Sequence, residues 1–168
     1  MIYFLTYGND KYKQSKERIE KEAYDINIFD KVIIKSPNDL PDNLPEMTKK
    51  VLTLERGGGY WIWKPIIVKQ QLDIMNDDDI LIYVDAGCHI NKNGTNRLYE
   101  YISYLDKNKP ILRFIMNFVS ERTYTTSSIF KYFNKLDDNN ITSTGQYIAT
   151  SFIILKNEHI NYYYIILK

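Results

Sequence analysis

The stretch "DDDILIYVDAG", residues 77–87, decides how this chain is read. Ile80 to Val84 is rich in β-formers and has no polar alternation. A strand of that kind is covered on both faces, as in the middle of a parallel sheet. Acidic residues stand at both of its ends. In an open α/β sheet, ligands bind beyond the carboxyl ends of the strands. A strand of this length spans about 17 Å, so Asp77, Asp78 and Asp79 fall on the far edge. Their Asp-x-Asp spacing reads as a polar helix-to-strand turn. Asp85 falls on the ligand edge, and Ala86 and Gly87 leave room for a ligand to approach the backbone. A carboxylate there can hold a hard divalent cation together with a diphosphate. It can equally cap the next turn. Position alone leaves both open.

Working outward, strand and helix patterns alternate. Residues 2–7 form a short apolar run ending at Gly8-Asn9, a buried strand entering a turn. Residues 13–27 place Ile19, Ala23 and Ile26 on one helical face, with Tyr12 just before them. "KVIIKSP" is a strand stopped by Pro37. Residues 36–46 carry Pro37, Pro41 and Pro45 and read as loop. Residues 49–54 suit one or two helical turns. Pro65 fits the first turn of a helix lined by Val68, Leu72 and Met75. Helix is expected again over 95–105 and over 125–136, the second through Ile129, Phe133 and Leu136. Strands are expected over 111–115 and 147–155. Residues 158–168 begin another helical pattern, and the chain stops inside it without a cap, as a fragment or a shortened protein would. The alternation predicts a single α/β domain over 1–168, Rossmann-like, with a mainly parallel sheet and helices on both faces.

The totals agree. A chain of 168 residues with 44% hydrophobic and 26% charged residues builds an ordinary globular core. A formal net charge of +1 gives nucleic acid no electrostatic footing. No apolar run reaches the roughly twenty residues of a membrane span. Cys88 is the one cysteine, so no internal disulfide forms, and a reducing, cytoplasmic setting fits. Cys88 reads as a small buried hydrophobe. His89 follows it. Two such residues fall short of a zinc site, so His89 is either structural or a contact to a phosphate or metal. His159 lies near the chain end and is not placed by this pattern.

The second informative stretch is "ERGGGYWIWKP", residues 55–65, which holds both tryptophans. It matches neither the P-loop nor the dinucleotide fingerprint. Glycines before a helix can still offer N–H groups to an anion. Arg56 and Lys64 can neutralise phosphate charge, and Trp61 or Trp63 can stack on a flat ring. Large aromatics are usually buried, so one indole of each kind is expected.

Together, "RGGGYWIWKPIIVKQQLDIMNDDDILIYVDAGC" (residues 56–88) resembles a GT-A-type glycosyltransferase family. That family carries an Arg-Gly-x-Gly-Tyr-Trp-x-Trp-Lys-Pro block, then a helix, then a strand ending Tyr-x-Asp-Ala-Gly-Cys. "YFLTYGN" is similar to its first strand and "TGQYIATSFIILKN" to its acceptor-side strand. The resemblance implies a UDP- or GDP-sugar donor, an acceptor glycan, protein or lipid, and Mn²⁺ or Mg²⁺. It implies Asp85 as the catalytic metal ligand, with His89 as a further candidate ligand, and Gln146 facing the reacting sugar. It implies a donor wall from Thr6, Tyr7, Arg56, Gly58, Tyr60, Trp61, Trp63, Lys64, Ala86 and Gly87. The chain departs from the pattern in three places. Asp-Ala-Gly lacks a second carboxylate. Tyr124, Thr125, Thr126 and Ser128 stand where the family often has Trp-Thr-Lys-x-Asp. Little chain follows the last strand. No base stands out, since Glu121 and Asp137 have no motif behind them. The alternative expectation is an inert module that binds a nucleotide sugar or glycan without turnover.

Overall fold

A computed structural model describes residues 1–158 and Ile160. His159 and most of the helix expected over 158–168 lie outside the described residues. The chain opens with β1 (Ile2–Tyr7), α1 (Lys13–Asp25) and β2 (Lys31–Lys35). After α2 (Glu46–Leu52) comes α3 (Gly57–Tyr60), a kinked turn leading into α4 (Trp63–Asp73). Then follow β3 (Ile80–Val84), α5 (Thr95–Ser103) and β4 (Ile111–Ser120). Three short helices, α6 (Glu121–Tyr124), α7 (Ser127–Tyr132) and α8 (Asn139–Thr142), precede β5 (Gly145–Leu155).

One sheet runs in the order β2-β1-β3-β5-β4. β1 pairs in parallel with both β2 and β3. β5 pairs antiparallel with both β3 and β4. Four strands therefore run one way and β5 runs against them. The sheet is thus mainly parallel, as expected, with β5 reversed. A parallel strand needs a crossover back to the opposite edge. Residues 121–144 make no such return. Ser120 pairs with Gly145, and the Glu121 N–H donates to the Thr144 carbonyl at 2.8 Å, closing the neck of the excursion.

The strand period of two sorts the core into two layers. Tyr3, Leu5 and Tyr7 of β1, Leu81 and Tyr83 of β3, and Phe152 and Ile154 of β5 meet Trp63, Ile67, Val68 and Leu72 of α4. On the other face Phe4 packs with Ile19 and Ala23 of α1, flanked by Val32, Ile34 and Val84. Helices thus cover both faces, and each large aliphatic side chain buried there contributes roughly 1.5–3 kcal/mol. Asp79 is buried and accepts the Asn76 N–H at 3.0 Å, so the acidic run before β3 is a structural turn as expected.

Local readings fail where no sheet lies underneath. Tyr12 is exposed because it stands at the N-cap of α1, outside the packed stripe. The single helix expected over 125–136 is instead α6 and α7. Phe130 is the buried residue of α7, while Ile129, Phe133 and Leu136 are exposed. α6 touches β4 and β5 at the neck of the excursion, whereas α7 makes no comparable contact with a strand.

The turn before α4 is wound left-handed. φ is +59° at Gly57, +56° at Gly58, +91° at Gly59, +52° at Tyr60 and +60° at Trp61. For residues with a Cβ this hand costs roughly 1–2 kcal/mol each. Gly59 passes so close to the end of α2 that a Cβ would stand 2.6 Å from Leu52 Cα and 2.7 Å from the Val51 carbonyl oxygen. Only the bare backbone fits. Gly87, by contrast, has nothing within 4 Å of a built Cβ. Gly59→Ala should therefore destabilise by about 2 kcal/mol or more, while Gly87→Ala should stay within about 0.5 kcal/mol. Urea melts of the two variants check this, and equal midpoints would contradict it.

Candidate functional site

The carboxyl edge of the sheet gathers the end of β1, the end of β3 and a distorted stretch of β5. The left-handed turn stands beside them. Lys11 from the loop after β1 bridges to Glu55 at 2.7 Å, and Asn9 lies next to Gly58. Within the turn the backbone is self-satisfied. Gly58 N–H donates to the Glu55 carbonyl, Gly59 to Leu54, Tyr60 to Arg56 and Trp61 to Gly57. The expected anion nest is thus corrected: those N–H groups are spent on the winding itself.

The two indoles divide as expected. Trp63 is 6% exposed, stacks on Tyr7 with centroids 4.0 Å apart at 18°, and donates its Nε1–H to the Gly57 carbonyl at 2.9 Å. Burial, then the Asp39 charge, pushes the Tyr7 phenol above its ordinary range. Trp61 is 48% exposed, and its ring covers Gly57. Arg56 and Tyr60 are exposed too, with the guanidinium 6.0 Å from the ring centroid. The inner side of the turn is packing, and its outer side is a cation with two open aromatic rings.

Trp63 begins α4, so Lys64 is carried straight to the sheet edge. Its Nζ donates to Asp85 Oδ1 at 2.8 Å and to the Ala149 carbonyl at 2.6 Å. It also stands 4.8 Å from the Tyr83 ring centroid and 5.5 Å from that of Trp63. The Tyr83 hydroxyl donates to the same Asp85 oxygen. Burial, then the Asp85 charge, holds that phenol well above its ordinary range, so it stays a donor. The Ala149 carbonyl is available because the β4–β5 register shifts between Arg113 and Ile115. Distortions of this kind re-aim backbone groups beside functional sites. The Thr150 carbonyl, from the same stretch, accepts the Asp85 N–H at 2.8 Å.

Beyond Asp85 the strap turns towards α1. Cys88 N–H donates to the Asp85 carbonyl at 2.9 Å, and Arg18 donates to the Ala86 carbonyl at 3.1 Å. Burial, then Asp85, raises the Cys88 thiol above its ordinary range, as suits a packed cysteine. Glu22 accepts the Ile90 N–H at 2.8 Å and meets both Arg18 and His89 Nδ1. Burial alone would raise the Glu22 carboxyl, but the Ile90 N–H, Arg18 and His89 outweigh it and hold it low.

Several expected site residues lie elsewhere. Thr6 has no exposed surface and is sealed in the sheet, so it lines no ligand. Trp63 and Tyr7 are core rather than an open wall. Ala86 is buried and gives no space, whereas Gly87 is open. Gln146, on β5, opposes Met116 of β4 and donates its amide to the Tyr147 carbonyl at 3.2 Å. His89 is held by Glu22 and Arg18 rather than by Asp85. Sequence reasoning passed over Tyr83, Arg18, Glu22 and the Ala149 carbonyl. Tyr83 was findable, since residues two apart on a strand share a face.

A divalent cation does not fit these donors well. Such ions take about six oxygens, several of them from carboxylates or waters. Here one carboxylate is present, and one of its oxygens already serves an ammonium and a phenol. Among the described residues no group of three or more His, Cys, Asp or Glu is placed to hold a metal ion. Unit charges 4 Å apart repel by about 4 kcal/mol at an effective dielectric near 20, and a divalent ion near Lys64 doubles that.

No family model and no curated protein matches the sequence. Among solved structures, the fold is similar to a glycosyltransferase involved in the glycosylation of the major capsid of PBCV-1. The identity is 12% and the TM-score 0.48, over 99% of this chain. The chain spans 64% of the length of that structure. At this identity and score the likeness says nothing of what the chain acts on. No described helix is long and apolar enough to cross a membrane. A shallow cleft lined by Tyr104, Lys109, Arg113 and Tyr147, among others, shares no residue with the Asp85 site.

Two outcomes follow from this geometry. Trp63→Ala should lower stability by about 3–5 kcal/mol, and Trp61→Ala by less than about 1 kcal/mol; chemical denaturation separates them. Glu22 has a depressed folded pKa, so its stabilisation is complete above the ordinary glutamate range and fades as pH falls through the lowered value. Glu22→Gln should therefore lower the melting temperature at pH 7 by an amount worth about 1 kcal/mol. The gap should narrow as pH falls below the ordinary glutamate range, and a gap that does not change with acidification would contradict the assignment.

Proposed function

We propose that this chain is the donor-binding portion of a glycosyltransferase that uses a nucleoside-diphosphate sugar. The observation that carries the reading is the Lys64–Asp85 contact at the carboxyl edge of β3. It joins the two halves of the sequence block shared in pattern with GT-A enzymes, Trp-x-Trp-Lys-Pro and Tyr-x-Asp-Ala-Gly-Cys. It also stands where open α/β sheets receive ligands.

The chemistry suits this arrangement. In glycosyl transfer the bond from the anomeric carbon to the phosphate oxygen breaks, and its electron pair leaves with the nucleoside diphosphate. An acceptor hydroxyl oxygen bonds to that carbon and loses its proton to a base. Negative charge grows on the leaving phosphate, so a fixed donor aimed there lowers the barrier. An ammonium has three N–H groups. Lys64 gives one to Asp85 and one to Ala149, which leaves one for a ligand oxygen. Arg56, Tyr60 and Trp61 supply a cation and aromatic faces on the outside of the turn. UDP- and GDP-sugars are the donors of choice, and the acceptor is a glycan, protein or lipid.

A second reading, binding without turnover, is favoured by the acceptor side. Glu121 is engaged by the Thr125 hydroxyl at 2.5 Å, and the Gln146 amide by a backbone carbonyl. Glu121 is thus not poised as a base, and the Gln146 amide is turned to the backbone.

Thermal shift with a panel of UDP- and GDP-sugars tests the proposal. A true donor at 100 times its Kd should stabilise by about 2.7 kcal/mol. Slow release of free sugar or nucleoside diphosphate from the same donor would mark an enzyme, and a shift without it the inert module. No shift with any nucleotide sugar would sink both.

A further inference from the structure

We infer that this site receives a diphosphate without a divalent cation, with the Lys64 ammonium standing where the metal would. The inference rests on the nucleotide-sugar reading and goes beyond it. The expectation from sequence was a metal ion on Asp85. The structure instead engages that carboxylate from within the chain. Lys64 Nζ lies 2.8 Å from Asp85 Oδ1, and the Tyr83 hydroxyl donates to the same atom. A metal ion bound at Oδ1 would compete with both donors.

Lys64 is not a surface side chain that happens to reach an acid. It is 12% exposed, and its ammonium is fixed from three sides, by Asp85, by the Ala149 carbonyl and by the face of Tyr83. Arg-for-Lys or a shorter cation would not meet all three with the same geometry. The lysine comes from the first turn of α4, the carboxylate from the end of β3, and the carbonyl from the irregular stretch of β5. Three elements converge on one positive charge at the ligand edge. The position that would carry a second carboxylate is Gly87, which follows a buried alanine. The motif thus offers one carboxylate, and that one is already engaged by Lys64 and Tyr83. Here Asp85 is a positioning residue for the ammonium rather than a metal ligand.

The test is calorimetric titration of UDP and GDP into the chain, once in EDTA and once in excess Mn²⁺. For whichever nucleotide binds, the expected result is a Kd that agrees within about threefold between the two buffers. Lys64→Met should weaken binding at least tenfold in EDTA, and circular dichroism confirms that the variant is folded. Lys64→Arg should bind with an intermediate Kd. Should Lys64→Met unfold, the two buffers on the unaltered chain still decide. Tenfold or tighter binding in Mn²⁺ than in EDTA would overturn the inference while leaving the nucleotide-sugar reading intact. A folded Lys64→Met that binds as well as the parent in EDTA would overturn it too. Failure of both nucleotides to bind in either buffer would remove the inference and the donor reading together.

Discussion

A single ion pair joins the parts of this molecule that matter to its edge. Lys64 meets Asp85 and the Ala149 carbonyl, and so ties α4, β3 and β5 at one point. Remove that contact and the three elements still share the core layer of Trp63, Tyr83 and Phe152. What is lost is the alignment of their ends. A partly buried pair of this kind gains little net stability, because desolvation offsets attraction. Its worth lies in specificity. One ammonium with three defined partners allows one arrangement of helix start, strand end and strand distortion. Losing one partner alone is a different matter, since it strands the other charge in a half-buried setting.

The left-handed turn serves the same end from the other side. Its winding delivers Trp63 inward onto Tyr7 and so sets where Lys64 begins. Strain at Tyr60 and Trp61 is tolerated because the neighbouring glycines take the closest contacts without a Cβ. Backbone held in rare conformations persists only where packing over-determines it. Here the clamp is made by the Leu52 backbone against Gly59 and by the Trp63 indole bonded to Gly57.

Much of this was legible in the sequence, and the exceptions share one cause. β1, β2, β3, α1 and α4 follow from local periodicity, since each lies flat on the sheet or within it. Asp77 to Asp79 were placed on the correct edge by strand length alone. That one indole is buried and one open follows from the usual burial of large aromatics, whereas which is which does not. The reversal of β5 is not legible locally, because it depends on the route taken by residues 121–144, which no local pattern encodes. The glycines are ambiguous in sequence because the same residues suit an anion nest and a left-handed turn. Which one forms is decided by Leu52, outside the motif. The Lys64–Asp85 contact was invisible for a similar reason. Its partners are separated by a helix and a turn, and they meet only because α4 packs back on β3.

The neck of the excursion between β4 and β5 has a consequence of its own. Residues 121–144 leave and rejoin the sheet at adjacent rungs, Ser120 opposite Gly145. Their length and composition are therefore uncoupled from the register of the strands below. Phe118, Tyr124 and Tyr132 are left open to solvent on this side. Such a cassette can be rewritten, lengthened or exchanged while the edge formed by β1, β3 and α4 keeps its geometry. The fold is thus divided into a fixed half, frozen by glycines and one ion pair, and a half free to diverge with whatever surface it meets.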